Sequence, residues 1–89
     1  MTPEDTVSKD TIQRLRRIEG QIKGIQRMIE DQRPCDEVMT QMMAARAALE
    51  QVAKQVVVGH IDDCLATLPA DRAKTAINRA IDMLGRMST

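Results

Sequence analysis

Apolar residues recur at steps of three and four in the first third of the chain. Such steps place side chains on one stripe of an α-helix. They predict a first helix of about 20 residues, capped by Ser8, with its apolar stripe at Ile12, Leu15, Ile18, Ile22, Ile25 and Ile29. Pro34 interrupts the pattern, because proline lacks an N–H and disfavours helical geometry at the preceding residue. A turn is therefore predicted before Pro34, which can begin the next helix.

A second stripe predicts a helix that begins at Cys35 and reaches Leu65. Its members are Val38, Met42, Ala45, Leu49, Val52, Val56, His60 and Cys64. At 1.5 Å per residue this helix is roughly 45 Å long, which exceeds the width of a compact domain of this size. Pro69 marks the next turn, and a third, shorter stripe follows at Ala73, Ile77, Ile81, Leu84 and Met87. The expected fold class is all-α, with a three-helix protomer.

The length of the second helix predicts a partner chain, because the first helix alone cannot cover its apolar stripe. The simplest arrangement is an antiparallel dimer in which two helix hairpins form a four-helix bundle. Within each chain, we expect a flexible N-terminal segment at residues 1–8 and a single helical domain at residues 9–89.

Composition narrows the class of protein. The 89 residues suit one domain, and 43% hydrophobic with 29% charged residues is globular composition without a membrane span. A secretory signal has a basic segment followed by an apolar one, whereas the first residues here include Glu4 and Asp5. We therefore expect a cytoplasmic location and no membrane partner. The chain has no Phe, Tyr or Trp. Single-stranded nucleic acid is thus an improbable ligand, since base-stacking side chains are missing.

Charge is unevenly distributed although the formal net charge is zero. Residues 9–33 carry seven basic and four acidic side chains, whereas residues 34–68 carry two and five. Most basic runs are simply solvated faces, but an oligomer repeats them and can build a phosphate-binding surface. The basic side chains in question are those of the first helix and one of the second: Arg14, Arg16, Arg17, Lys23, Arg27 and Arg46. The sequence contains no helix-turn-helix or zinc-finger pattern.

His60 and Cys64 are four residues apart, so both emerge from one helix face at a spacing that allows two ligands to hold one metal. Cys35 begins the same helix and cannot meet them within one chain. In an antiparallel dimer, the partner's Cys35 would lie beside His60 and Cys64, and a three-ligand site would form twice. Two thiolates and one imidazole suit copper(I), whereas zinc usually takes a fourth ligand.

Other interpretations of these residues stay open. Cysteine is often a small buried hydrophobe, so the His60/Cys64 pair could belong to the core. A cysteine nucleophile with His60 as base would make an enzyme, but no Gly-rich loop or pocket element accompanies it, and we expect no enzymatic activity. The methionines are more typical of core filler than of copper ligands.

Several segments together carry a family resemblance. They are the run from Arg14 to Ile25, then Cys35, the Ala-rich residues 44–49, and Gly59-His60-Ile61 followed by Cys64. Over about residues 9 to 66 the chain resembles the copper-sensitive operon repressor (CsoR) family. The resemblance implies an all-helical dimer that assembles into a disc-like tetramer. It also implies repression of transcription through operator DNA until copper(I), nickel or cobalt, formaldehyde or reactive sulfur arrives. Together with the basic cluster, it makes Arg14, Arg16, Arg17 and Arg46 the candidate contacts to the phosphates of double-stranded DNA.

The effector is inferred from a few positions of that resemblance. Cys35, His60 and Cys64 reproduce the Cys-His-Cys set of the family's copper(I) sensors, whereas nickel sensors carry more histidines and formaldehyde sensors lack the second cysteine. Pro34 and Ala80 stand where copper sensors typically have a tyrosine and a glutamate. Persulfide-sensing relatives bridge the same two cysteines by sulfur atoms. Copper(I) is the leading effector, reactive sulfur is the alternative, and copper storage without DNA binding is a third hypothesis.

Overall fold

The computed structural model describes the backbone of residues 3–88 and the side chains of residues 8–88. It consists of three α-helices, α1 (Pro3–Glu30), α2 (Cys35–Thr67) and α3 (Ala70–Ser88), and the described residues contain no strand. The all-α, three-helix protomer is therefore confirmed. Helix α2 begins at Cys35 as predicted and continues two residues past Leu65.

Helix α1 begins at Pro3, six residues before Lys9, where a cap at Ser8 would have it begin. Ser8 lies inside the helix, so the prediction that it caps α1 is wrong. Proline fits the first turn of a helix because the N–H that it lacks would have no helical partner there, and Pro3 can therefore begin α1. Met1 and Thr2 lie outside the described residues, and the flexibility of residues 1–8 stays a prediction.

The turn between α1 and α2 is closed by the backbone. Gln32 adopts a positive φ of 57°, and the Arg33 N–H donates to the Met28 carbonyl at 2.9 Å while the Gln32 N–H donates to the Ile29 carbonyl at 3.1 Å. This pair of bonds is a Schellman motif, with glutamine in the left-handed position that glycine usually takes. Pro34 follows as the N-cap residue of α2, so the predicted turn is confirmed.

The three helices form a single layer. Helices α1 and α3 both pack against α2, and they do not contact each other within the described residues. The molecule measures 54 × 32 × 13 Å, and its smallest dimension is close to the thickness of one helix with its side chains. A layer of this kind has two open faces.

The core of this layer is correspondingly small. The buried apolar residues are Ile18, Ile25, Val52, Cys64 and Ala73. Many members of the predicted stripes stay exposed, among them Ile12, Leu15, Ile22, Ile29, Met42, Leu49, Val56 and Ile81. An extensive apolar surface is typical of a chain that packs against a partner. None of the described helices has a long enough apolar stretch to cross a membrane.

Candidate metal centre and nucleic-acid interface

His60 and Cys64 come together on the last turns of α2. The Cys64 thiol sulfur lies 3.5 Å from Nε2 and 3.9 Å from Nδ1 of His60. For metal–sulfur and metal–nitrogen bonds of about 2.3 and 2.0 Å at 120°, the two donor atoms would stand roughly 3.7 Å apart. The observed 3.5 Å is close to this value and is also in the range of a hydrogen bond between the thiol and the ring, so the pair can supply two ligands to one metal ion.

Packing fixes one member of this pair and leaves the other accessible. Cys64 is 2% exposed, whereas His60 is exposed. His60 lines a cavity of about 380 Å³ between α1 and α2, and also a mainly apolar groove of about 460 Å³ between α2 and α3. The imidazole thus has room to turn, while the thiol is held in place.

Cys35 is exposed at the opposite end of α2. It is 29 positions before Cys64, which corresponds to roughly 43 Å along a helix. Within the described part of one chain, no three His, Cys, Asp or Glu side chains come together as a metal cluster. One chain therefore brings together two of the three predicted ligands, and Cys35 is not one of them.

The side chains near this site differ in the chemical groups that they present to it. Pro34 makes no side-chain capping bond to α2. Ala80 lines the α2–α3 groove together with His60, and so does Arg79. Asp71 lines a third cavity that His60 also borders. Arg79 and Asp71 were missed in the sequence because only the packing of α3 on α2 brings them near His60.

The four candidate DNA contacts lie in the α1–α2 hairpin, and all are exposed. Arg14 donates from Nε to Oδ2 of Asp10 at 3.2 Å, and Arg46 pairs with Glu50 at 3.3 Å. Such exposed pairs one helical turn apart stabilise a helix only weakly. In both pairs the contact is made through Nε, so the terminal guanidinium nitrogens can bind phosphate.

Two hydrogen bonds between the helices fix the register of the hairpin. Gln21 donates to the Gln41 carbonyl at 3.5 Å, and Gln55 donates to Asp10 at 2.6 Å. In this antiparallel register Arg46 is level with Arg16 and Arg17 on α1. Arginines 29 and 30 positions apart in sequence thus lie at the same level of the hairpin.

The ionisation of the Asp10 carboxylate is perturbed by its neighbours in the hairpin. The hydrogen bond from Gln55, and secondarily the positive charges of Arg14 and Arg17, lower the pKa of Asp10 below its ordinary value of 3.8. No sequence motif indicates Gln55, because its role arises from contact across the two helices.

These observations define a class of protein: a small all-α chain with a Cys/His pair on its central helix and exposed arginines on its first two helices. The chain belongs to the family of metal-sensitive transcriptional repressors, whose family model matches residues 7–86. The resemblance to the CsoR family is thereby confirmed.

Individual relatives agree with this assignment. The chain is 35% identical over 82 residues to the copper-sensing transcriptional repressor CsoR of Bacillus subtilis, covering 90% of this chain and 81% of that protein. It is 42% identical over 67 residues to the copper-sensing repressor RicR of Mycobacterium tuberculosis, covering 74% and 70%. The solved structure of the nickel-responsive regulator InrS superposes with a TM-score of 0.76 at 32% identity, covering 85% of this chain and 90% of that one.

These relatives define the general function. The chain is a metal-responsive transcriptional repressor, and its family implies DNA binding. The expectation that it is not an enzyme is confirmed, because the relatives are transcriptional repressors. Two of the three relatives described above are copper-sensing and the third is nickel-responsive.

Proposed function

We propose that this repressor binds double-stranded operator DNA and releases it when copper(I) binds to Cys35, His60 and Cys64 at a subunit interface. The observation that carries the proposal is the proximity of Cys64 Sγ to the His60 ring, 3.5 Å from its nearer nitrogen. Two thiolates and one imidazole form a soft ligand set that favours copper(I) over harder ions. The copper-sensing relatives support the same effector.

A second copy of the chain is required to complete the site. The exposed apolar side chains indicate the face to which this second copy binds. Val56 and His60 border both the α1–α2 cavity and the α2–α3 groove, so they lie at the centre of one face. Val56 is 56% exposed, and Ile12 and Met83 beside it are also exposed. An antiparallel partner on this face would cover these side chains and bring the partner's Cys35 to His60. We infer a homodimer that pairs further into a homotetramer.

The effect on DNA would be mainly mechanical. Cys35 and Cys64 would lose their protons on ligation, so each site would become more negative by one unit when copper(I) is bound. Charge acts over only about 8 Å at physiological salt, which is too short to supply the coupling of about 1–3 kcal/mol typical of allostery. Joining the start of one α2 to the end of its partner would instead displace the helices that carry the arginines. His60 would turn into the site as this happens.

Arg14, Arg16, Arg17 and Arg46 are the side chains that we assign to the DNA phosphates. Their support is exposure and the register that places Arg46 level with Arg16 and Arg17. Arg14→Ala and Arg46→Ala should each weaken DNA binding across all sequences. Each should also lower the slope of log affinity against log salt by about 0.9 per lost contact. Unchanged affinity in both variants would refute the assignment.

Sensing of reactive sulfur is the alternative, with Cys35 and Cys64 bridged between chains by sulfur atoms. The observation that favours it is the α2–α3 groove beside His60, which Ala80 and Arg79 line and in which no carboxylate lies among the described residues. The α3 carboxylate of Asp71 borders a separate cavity on His60. A glutamate in the α2–α3 groove would support an imidazole that ligates a metal. Copper storage without DNA binding, the third hypothesis, is disfavoured because the relatives are repressors.

One experiment separates these effectors. The reduced protein is titrated with copper(I), and separately with a persulfide donor, and each product is analysed by native mass spectrometry and by its retardation of the DNA upstream of its own coding region. We expect tight copper(I) binding and loss of the DNA complex. If the protein forms a sulfur bridge between chains and does not bind copper(I), reactive sulfur becomes the leading effector. If no DNA complex forms at low salt, both the copper-sensing and the sulfur-sensing repressor are excluded.

A further inference from the structure

A polar contact joins α1 to α2 beside the cavity that His60 lines. The side-chain amide of Gln55 donates from Nε2 to Oδ2 of Asp10 at 2.6 Å. The same carboxylate oxygen accepts from Nε of Arg14 at 3.2 Å. A single oxygen of Asp10 thus connects a residue of α2 to an arginine that we assign to the DNA phosphates.

The orientation of the Gln55 amide follows from the chemistry of its partner. An ionised carboxylate only accepts hydrogen bonds, so Nε2 must face Asp10. This turns Oε1 away from Asp10 to a position where it is buried and has no hydrogen-bond partner among the described residues. A buried acceptor without a partner is unfavourable, so the charge-assisted bond to Asp10 must offset that cost. The net stability of the contact is therefore small, and a shift of α2 that moves Gln55 away from Asp10 costs little.

The contact also constrains the guanidinium of Arg14. Its Nε is engaged by Asp10, which leaves the two terminal nitrogens for another acceptor. Arginine binds phosphate as a planar fork, and orienting this fork in advance reduces the entropy lost on binding. The lowered pKa of Asp10 means that the carboxylate is ionised at physiological pH and holds Arg14 there.

We propose that Gln55 is a positioning residue for DNA binding, which orients Arg14 through Asp10. The proposal rests on the phosphate contact of Arg14 proposed above. Gln55 precedes Gly59 and His60 by about one turn of α2. Movement of this part of α2 when His60 ligates an effector would withdraw Gln55 from Asp10. Arg14 would then lose its fixed orientation and DNA affinity would fall.

A double-mutant cycle on the full chain without effector tests this role. It combines Gln55→Met with Arg14→Ala. Methionine preserves the length, the charge and the helix propensity of glutamine but cannot donate to Asp10. We expect Gln55→Met alone to weaken binding to the DNA upstream of the chain's own coding region about threefold to tenfold. In the Arg14→Ala background it should have no further effect.

Three controls separate positioning from a general structural effect. Gln51→Met, one turn earlier at an exposed position of α2, should leave DNA affinity unchanged. In the Arg46→Ala background Gln55→Met should keep its full effect, because Arg46 pairs with Glu50 and not with Asp10. Asp10→Asn removes a negative charge and would tighten DNA binding by electrostatics alone, whereas the positioning role predicts weaker binding.

The outcomes distinguish the two proposals. If Arg14→Ala leaves DNA affinity unchanged, the phosphate contact fails and the positioning role fails with it. If Arg14→Ala weakens binding but Gln55→Met has the same effect in both backgrounds, the positioning role alone is overturned. Effects that vanish only in the Arg14→Ala background support it, since a loss of fold would weaken binding in every background.

Discussion

The two ends of α2 differ in how much of the molecule covers them. Near its C-terminus the helix has neighbours on both sides, and Cys64 is 2% exposed. Helix α3 has 19 residues and turns back from Pro69, so at roughly 28 Å long it cannot reach the N-terminus of α2. There Cys35, Met39 and Met43 are exposed.

This difference shows why one chain can align only part of a metal site. The Cys64 sulfur already lies beside His60 because the two residues are four apart on one helix, and the neighbouring helices bury Cys64. The Cys35 thiol has no such surroundings and would need those of a second chain. A site divided in this way makes effector binding depend on assembly, and therefore able to change it.

The largest expected effect comes from separating the two chains. Val56→Glu would place a charge at the centre of the face that we assign to the partner, and burying an unpaired carboxylate is strongly unfavourable. We expect the mass measured by light scattering to fall from the oligomer to the 10.0 kDa chain, with loss of the three-ligand site. Gln51→Glu is the matched control because Gln51 is exposed and polar on the same helix. An intact oligomer in Val56→Glu would contradict this interface.

Substituting each cysteine in turn sharpens the comparison between the two ends of α2. The two substitutions should weaken copper(I) binding equally but should differ in their effect on the free energy of unfolding. Cys35→Ser and Cys64→Ser should each weaken copper(I) binding on the order of 100-fold or more, as a lost ligand costs at least as much as a lost supporting contact. Only Cys64→Ser should lower the free energy of unfolding, by about 1–3 kcal/mol, since it buries a hydroxyl among apolar neighbours. Competition titration and urea unfolding at one protein concentration measure both. Equal destabilisation would show that the ends are equally covered.

Substitution of His60 should separate copper(I) binding from copper-induced DNA release. We expect His60→Ala to retain measurable two-thiolate copper(I) binding but to lose most copper-induced DNA release. The ratio of DNA dissociation constants with and without copper should fall from the range of about 5 to 150 that allosteric coupling usually spans to about two or less. Normal release in this variant would assign the response to Cys35 and Cys64 alone.

The smallest effect concerns the Asp10 link in the hairpin. Because the folded pKa of Asp10 is lowered, mainly by the Gln55 hydrogen bond, its stabilising contribution is present above the unfolded value and is lost as pH falls through the folded one. Both lie well below neutrality, so the link should not titrate between about pH 5 and 8. Carboxyl NMR should find the Asp10 midpoint below 3.8. Gln55→Met should raise that midpoint, and no change would mean that Gln55 does not bind Asp10 in solution.

Local chemistry explains why the helices were predictable. The period of the apolar residues and the breaks at Pro34 and Pro69 correspond to the observed helices, including the start of α2 at Cys35. The proximity of His60 and Cys64 follows from their spacing of four on one helix. The start of α1 was predicted wrongly because Ser8 has the chemistry of a cap, whereas Pro3 also satisfies the first turn.

The sequence by itself thus determined the three helices, the His60/Cys64 pair and the separation of Cys35 from both, because each depends on spacing along one helix. Only the tertiary structure decided that the helices form a single layer, that Arg46 lies level with Arg16 and Arg17 along the hairpin, and that Gln55 contacts Asp10. These features depend on how far one helix is displaced along another. Many side-chain contacts set that displacement together, and no periodic pattern in a single segment encodes it.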